Sequence, residues 1–227
     1  MSEVVLLATR NAGKLRELVP MLTAAGIHAE TLAAAGIPET ADEDELENFE
    51  TFEENALAKA RWFSSKTSGR VVFADDSGLV VATLGGRPGV RSKRWAGTTS
   101  LADQALDDAN NAHLQTELDR SASSAQSDRS ASYVCAAACV WGEGSLVATG
   151  STTGRILVTP RGTGGFGYDP YFWSDDLAAG FAEVSGAEKL AVSHRGRAFR
   201  ALLAAIDANR GLKRKLFGPV DPGRVPG

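Results

Sequence analysis

The chain has 227 residues, of which 43% are hydrophobic and 23% charged, and its formal net charge is −4. That length supports one large domain or two joined lobes with a sizeable core, and the composition is that of an ordinary globular protein. The acidic balance argues against broad binding to a nucleic-acid backbone, although a local basic pocket remains compatible with it.

The two cysteines, Cys135 and Cys139, sit close together in "YVCAAACVW". They form no disulfide framework, and no histidine or second cysteine pair lies nearby to complete a zinc site, so they read as buried free thiols. No apolar run approaches the ~18 residues of a membrane span, and "MSEVVLLATRN" has no basic leader. The expectation is a cytoplasmic protein with no membrane partner.

"VVLLAT" (4–9) predicts a short buried strand that runs through "RNAGK" into a helix. Leu15, Leu18, Val19 and Leu22 recur at helical spacing, and Gly26 marks the stop. Pro20 falls inside this pattern and is expected to kink or shorten the helix. "ETADEDELENFE" (39–50) reads as an acidic loop. Thr51 and Glu54 form a capping-box pattern ahead of "NALAKARWF", with Phe52, Ala56, Ala60 and Phe63 as the buried stripe and Lys59 off it.

"GRVVFADD" and "GLVVATL" predict two further strands, and "GGRPG" a turn. "SLADQALDDANNAHLQTEL" is an amphipathic helix, and the polar "RSASSAQSDRSAS" (120–132) reads as a surface loop. "YVCAAACVW", "SLVATGST" and "GRILV" predict successive strands. A Gly-rich loop, "PRGTGGFGYDPYF", follows. Ser193 caps a last helix whose apolar face is Phe199, Leu202, Leu203 and Ile206. The expected fold is a single α/β domain over 1–212 with a mixed sheet, followed by a Pro/Gly-rich tail, 213–227.

Four stretches carry chemistry. "TRNAGK" (9–14) opens a helix, so its backbone N–H groups and Lys14 offer an anion site, although the P-loop spacing is absent. "DDSG" (75–78) places Asp75 and Asp76 at what reads as a strand end, where acids can hold Mg²⁺ and polarise water. "GTGGFGYDP" (162–170) lets backbone approach a ligand closely and offers Phe166 or Tyr168 as a stacking face for a base. "EKLAVSHRGRA" (188–198) clusters Lys189, His194 and Arg195 at a helix start, against the helix dipole, which calls for a compensating anion or acceptor.

Taken in order, "LLATRNAGKLREL", "TFEENALAKAR", "FADDSGL", "LGGRPGVRSKRWAG", "GTGGFGYDPYF" and "EKLAVSHRG" resemble the inosine triphosphate pyrophosphatase family, over most of the chain. Departures are Arg10, where the family commonly has glycine or serine, and a longer acidic loop. The resemblance implies an elongated mixed β-sheet whose flanking helices form two lobes around a central cleft, usually in a homodimer. It implies Mg²⁺-dependent hydrolysis of a purine nucleoside triphosphate with a hypoxanthine or xanthine base, giving the monophosphate and pyrophosphate.

It also implies site residues. Asp76 would be the general base or would share the metal, with Asp75 in support. The second metal carboxylate would be Glu39 or Glu47. Thr9, Asn11 and Lys14 would hold the phosphates, within a turn that includes Arg10, Ala12 and Gly13, and Lys59 would assist. Ser77 would bond substrate, Phe166 would stack on the base, and Gly167, Tyr168 and Asp169 would line the site. Lys189, His194 and Arg195 would read the base edge. Two alternatives stand beside this reading: a related Maf-type pyrophosphatase, and a nucleotide-binding module without catalysis.

Overall fold

A computed structural model describes residues 4–97, 101, 103–121, 128–142 and 144–217. One seven-stranded sheet organises the chain, in the order β2-β1-β3-β4-β5-β6-β7. Strands β1 (Val5–Leu7), β2 (Ala29–Thr31) and β3 (Val72–Val81) are parallel neighbours. Their crossovers are helices α1 (Ala12–Ala24) and α2 (Phe52–Lys66). Strands β4 (Ser130–Trp141), β5 (Gly144–Ile156), β6 (Phe172–Ser174) and β7 (Ala179–Gly180) continue the sheet antiparallel. Helix α3 (Asp103–Ser121) joins β3 to β4, and α4 (Gly186–Val192), α5 (His194–Ala208) and α6 (Arg210–Phe217) close the chain.

Three apolar clusters hold this sheet. On one face Phe73, Cys135, Ala137 and Cys139 meet Leu18 and Leu22 of α1, Phe199 and Leu202 of α5, and Leu216 of α6. On the other, Leu6, Val72, Ala74 and Ala138 meet Ala56, Ala60 and Phe63 of α2. The third gathers Leu79, Val81, Ala131 and Tyr133 from the far ends of β3 and β4 with Leu114 and Leu118 of α3 and with Phe172 and Phe181. Each fully buried Leu or Phe contributes roughly 1.5–3 kcal/mol relative to exposure. The long strands β3 and β4 therefore run from the first two clusters into the third, and residues 75–78 of β3 lie between Phe73 and Ala74 of the first two and Leu79 of the third.

Several local expectations change. "GRVVFADD" and "GLVVATL" are one strand, β3, because Asp75 and Asp76 stay in register with Ala137 and Ala136 of β4. The two acids therefore sit mid-strand rather than at a strand end. "SLVATGST" and "GRILV" likewise merge into β5, paired along its length with β4. Helix α1 is not shortened at Pro20: it continues to Ala24, and exposed Pro20 lies where water can satisfy the freed carbonyl.

The expected loop 120–132 is trimmed by α3, which includes Ser121, and by β4, which begins at Ser130; residues 122–127 lie outside the described residues. The expected tail 213–227 begins as α6, with Leu216 fully buried and Phe217 edge-on to Phe73. Residues 218–227 lie outside the described residues.

Candidate active site

The turn from β1 into α1 is built by its own side chains. Asn11 is the N-cap, and its side-chain oxygen accepts from the Lys14 N–H at 2.9 Å. Buried Thr9 accepts from the Asn11 N–H at 3.2 Å. Ala12 is exposed at the first helical position. Gly13 lies beneath Phe166, and a Cβ there would fall 2.5 Å from a ring carbon, so only glycine lets the ring settle on this turn. The anion-binding turn and the Gly-rich loop thus meet at one point.

Side chains alternate across a sheet, so Asp75 and Asp76 face opposite ways. Asp75 lies on the α1 and α5 face, fully buried. Lys14 Nζ is 3.0 Å and Arg195 Nε 3.1 Å from its Oδ2. Burial pushes its carboxyl up, but Lys14 and Arg195 outweigh this and hold it well below the usual carboxylate range. From there the charges alternate. Arg195 Nη1 meets Glu17 at 2.6 Å, Glu17 meets Lys189 at 2.8 Å, and Lys189 meets Asp169 at 2.5 Å. Asp169 ends the chain by accepting from the Phe166 N–H at 2.8 Å. A buried charge without such partners would be costly; here each one is paired.

Asp76 lies on the α2 face. Asn55 Nδ2 donates to its Oδ2 at 2.9 Å, and the Ser77 N–H donates to its Oδ1 at 2.9 Å. Burial, and then the nearby charge of Glu47, push its carboxyl above the usual value despite Lys14 and Lys59. Lys59, buried on α2, pairs with Glu47. Burial pushes the Glu47 carboxyl up, but Lys59 and Lys14 hold it down to about 2. Asn55 also ties down the acidic loop, accepting from the Phe49 N–H at 2.9 Å.

The expected residues therefore fall into groups. Thr9, Asn11, Gly13, Lys14, Asp75, Ser77, Phe166, Asp169, Lys189 and Arg195 are linked into one assembly, in which Arg195 Nη2 donates to the Ser77 hydroxyl at 2.8 Å. Asp76, Glu47 and Lys59 form its counterpart through the sheet. Phe166 sits beneath two cations, with Lys189 Nζ 4.7 Å and the Arg195 guanidinium 5.6 Å from its ring centroid. His194 is buried and stacked on Tyr133 at 4.5 Å. Burial, and then Arg195 and Lys189, push its pKa well below the usual value, and its Nδ1 has no hydrogen-bond partner.

Three expected residues are placed elsewhere. Arg10 turns away from the phosphate turn and grips Glu43 at 2.8 Å and the carbonyls of Ile37 and Pro38 at 2.9 Å each. Tyr168 belongs to the core, and its hydroxyl donates to the Ser92 carbonyl at 2.7 Å, so it presents no stacking face. Of the two glutamates weighed for the metal, Glu47 stands beside Asp76, whereas exposed Glu39 adds only to the field at Arg10.

Sequence reasoning missed Glu17 and Asn55. Glu17 follows Lys14 by one helical turn, and Asn55 is a poor helix former within the first turns of α2. Both signals are weak without the fold.

Among the described residues, no three His, Cys, Asp or Glu side chains converge as a metal cage. Two carboxylates near enough to act on each other electrostatically, Asp76 and Glu47, nevertheless suit Mg²⁺, which uses one or two carboxylates and completes its shell with phosphate oxygens and water.

A mixed sheet whose strand β3 carries paired charges beside a helix-opening turn and a glycine-rich loop defines an α/β protein with a candidate site for a small polyanionic ligand. The Ham1 family model matches residues 5–205, and the chain belongs to the Ham1 family. It is 46% identical over 203 residues to the dITP/XTP pyrophosphatase of Frankia alni, covering 89% of this chain and 96% of the relative. It is 47% identical over 208 residues to the dITP/XTP pyrophosphatase of Mycobacterium tuberculosis, covering 89% and 94%. Among solved structures it resembles a HAM1 protein from Coxiella burnetii, with a TM-score of 0.75 and 33% identity over 91% of this chain and 99% of that one. A nucleoside-triphosphatase / dITP/XTP pyrophosphatase from Mycobacterium abscessus gives a TM-score of 0.63 and 40% identity, again over 91% and 99%. The family resemblance and the fold expected from the motifs are both borne out.

Proposed function

We propose that this chain hydrolyses non-standard purine nucleoside triphosphates (ITP, dITP and XTP) to the monophosphate and pyrophosphate. The observation that carries the reading is the Asp76–Glu47 pair facing Lys14 and Lys59, beside an anion-binding helix start, in a chain whose relatives are named for this activity.

In this mechanism the helix start, Thr9, Asn11 and Lys14 hold the triphosphate, assisted by Lys59. Asp76 takes the proton of a water whose oxygen adds to the α-phosphorus, and the bond to the β-phosphate oxygen breaks. Its raised proton affinity suits a general base, a role worth roughly 10²–10⁴-fold. Asp76 and Glu47 would hold Mg²⁺, which supplies charge neutralisation on the phosphate oxygens. Asp75 supports the site from the opposite face by fixing Lys14. Ser77 bonds substrate, and Gly167 and Asp169 shape the loop around it. Phe166 stacks on the base, and Lys189, His194 and Arg195 lie at its edge. Of these, the cationic donors Lys189 and Arg195 favour a 6-oxo group over the amino group of adenine.

The same reading includes a homodimer and a cytoplasmic location. The family resemblance supports the first. The second rests on the sequence and on the lack, among the described residues, of a helix long and apolar enough to cross a membrane. The deciding experiment supplies Mg²⁺ with ITP, dITP, XTP, GTP, ATP or UTP and assays pyrophosphate and orthophosphate separately. Pyrophosphate from ITP and XTP, with little from ATP or GTP, is the expected result. Orthophosphate as the first product would remove the mechanism, and tight ITP binding without turnover would make the chain a sensor.

A further inference from the structure

Helix α3 takes no part in the assemblies above, yet its polar side chains are engaged with two loops. Asn110 and Asn111 are adjacent, mid-helix and buried, which is an unusual place for poor helix formers. Asn110 accepts from the Ala96 N–H at 2.8 Å and donates to the Lys93 carbonyl at 3.0 Å. Asn111 and Asp107 are four apart, so they share one helix face. Both reach Gly167. Asp107 Oδ2 accepts from the Gly167 N–H at 2.6 Å, and Asn111 Nδ2 donates to the Gly167 carbonyl at 2.9 Å. One helix thus holds both polar groups of a single loop residue.

That residue follows Phe166. The Phe166 N–H is itself tied to Asp169 at 2.8 Å, and Tyr168 is tied to the Ser92 carbonyl at 2.7 Å. The backbone on either side of the ring is therefore fixed, while the ring rests on Gly13 beneath Lys189 and Arg195. Asn111 Nδ2 also donates to the Asp107 carbonyl at 2.9 Å, which fixes the side chain against its own helix as it reaches Gly167.

We propose that Asp107 and Asn111 are positioning residues for base recognition: by clamping Gly167 they fix the pose in which the Phe166 ring meets the nucleobase. This rests on the reading that Phe166 stacks on the base. Both bonds of the clamp run to the Gly167 backbone beside the ring, so its expected effect is on nucleotide affinity rather than on bond cleavage.

The test is steady-state pyrophosphate release from ITP by the wild type, Asn111→Ala, Phe166→Ala and the double variant. Asn111→Ala raises KM for ITP about tenfold, from a lost hydrogen bond and an orphaned carbonyl, and lowers kcat by no more than about twofold. Phe166→Ala raises KM by roughly 5–150-fold, the range of one base–aromatic stack. In the Phe166→Ala background, adding Asn111→Ala changes KM by less than about twofold, because the clamp has lost the ring through which it acts.

An unchanged KM in Asn111→Ala, or an effect that persists in full without the ring, overturns the inference. If Asn111→Ala fails to fold by thermal melt, Asp107→Asn, which keeps the side-chain shape and an acceptor, replaces it. There a KM rise of about threefold that vanishes in the Phe166→Ala background is expected, and an unchanged KM again overturns the clamp. A wild type that releases no pyrophosphate from ITP overturns the functional reading and the clamp together. Wild-type turnover with an indifferent clamp overturns the clamp alone.

Discussion

Asp75 and Asp76 are neighbours in sequence, of one residue type, on one strand, yet they have opposite electrostatics. Asp75 is held ionised by Lys14 and Arg195 and begins a buried run of alternating charges that reaches Phe166. Asp76 faces Glu47, and burial with that like charge raises its affinity for protons. On one face of β3 the charges alternate in pairs. The other sets two like charges against each other, Asp76 and Glu47, with Lys59 and Lys14 beside them, an arrangement that suits a cation and a proton-transfer step. A strand places consecutive side chains in different surroundings, and the surroundings set the role.

The largest effect should come from Asp76→Asn. Hydrolysis of ITP falls by at least about 10³-fold, while the melting temperature stays within about 3 °C of wild type because the lost charge was an unfavourable one. Near-wild-type turnover would remove Asp76 from the chemistry. Asp75→Asn should do the reverse in kind. It leaves Arg195 and Lys14 short of a buried partner, at a cost of about 3–5 kcal/mol, and thermal denaturation should show a drop of about 10 °C. A variant as stable as wild type would mean that the alternating charges do not stabilise the fold.

Acid separates the two faces further. Asp75 and Glu17 both have proton affinities lowered by folding, with Arg195 acting on each. Their stabilisation is complete above their unfolded values, near ~4, and is lost as pH falls through the lower folded ones. Without a bound cation Asp76 is shifted upward by burial and Glu47, and its catalytic form is the deprotonated one, so at limiting Mg²⁺ activity falls through a pKa above its unfolded value. Activity measured against pH should therefore fail at a higher pH than the far-ultraviolet circular dichroism signal, and coincident curves would contradict the assignment.

A smaller contrast lies in the acidic loop. Glu47→Gln should raise the Mg²⁺ concentration for half-maximal activity about tenfold or more, and Glu39→Gln should leave it within about twofold; equal effects would reopen the choice between them. The smallest is Arg10→Gly. Its pair with Glu43 is partly exposed, so its loss should cost no more than about 1 kcal/mol in a denaturant titration. A large rise in KM would place Arg10 back among the phosphate ligands.

Helices α1, α2 and α5 were legible because their apolar spacing and caps are local. Asn11, Thr51 and Ser193 each accept from the backbone N–H three residues on. The break assumed after Asp76 was not local, since only pairing with β4 carries β3 through two acids and Gly78. The reach of Arg10 was equally hidden: sequence placed it in a phosphate turn, and the loop it grips lies some thirty residues away, at Glu43.

By itself the sequence determined the residue types of the site and their order along the chain: the helix-opening turn, the paired acids, the glycine loop and the cationic helix start. Those are fixed by local spacing and by backbone rules that act over a few residues. Only the tertiary structure decided which acid faces Glu47 and which faces Arg195, that Tyr168 packs inside while Phe166 lies on Gly13, and that Glu17 and Asn55 complete the two faces. The physical reason is that charge and hydrogen-bond partners are chosen across the sheet, where burial strengthens every pairing and penalises every omission, and sequence distance carries no record of which groups meet there.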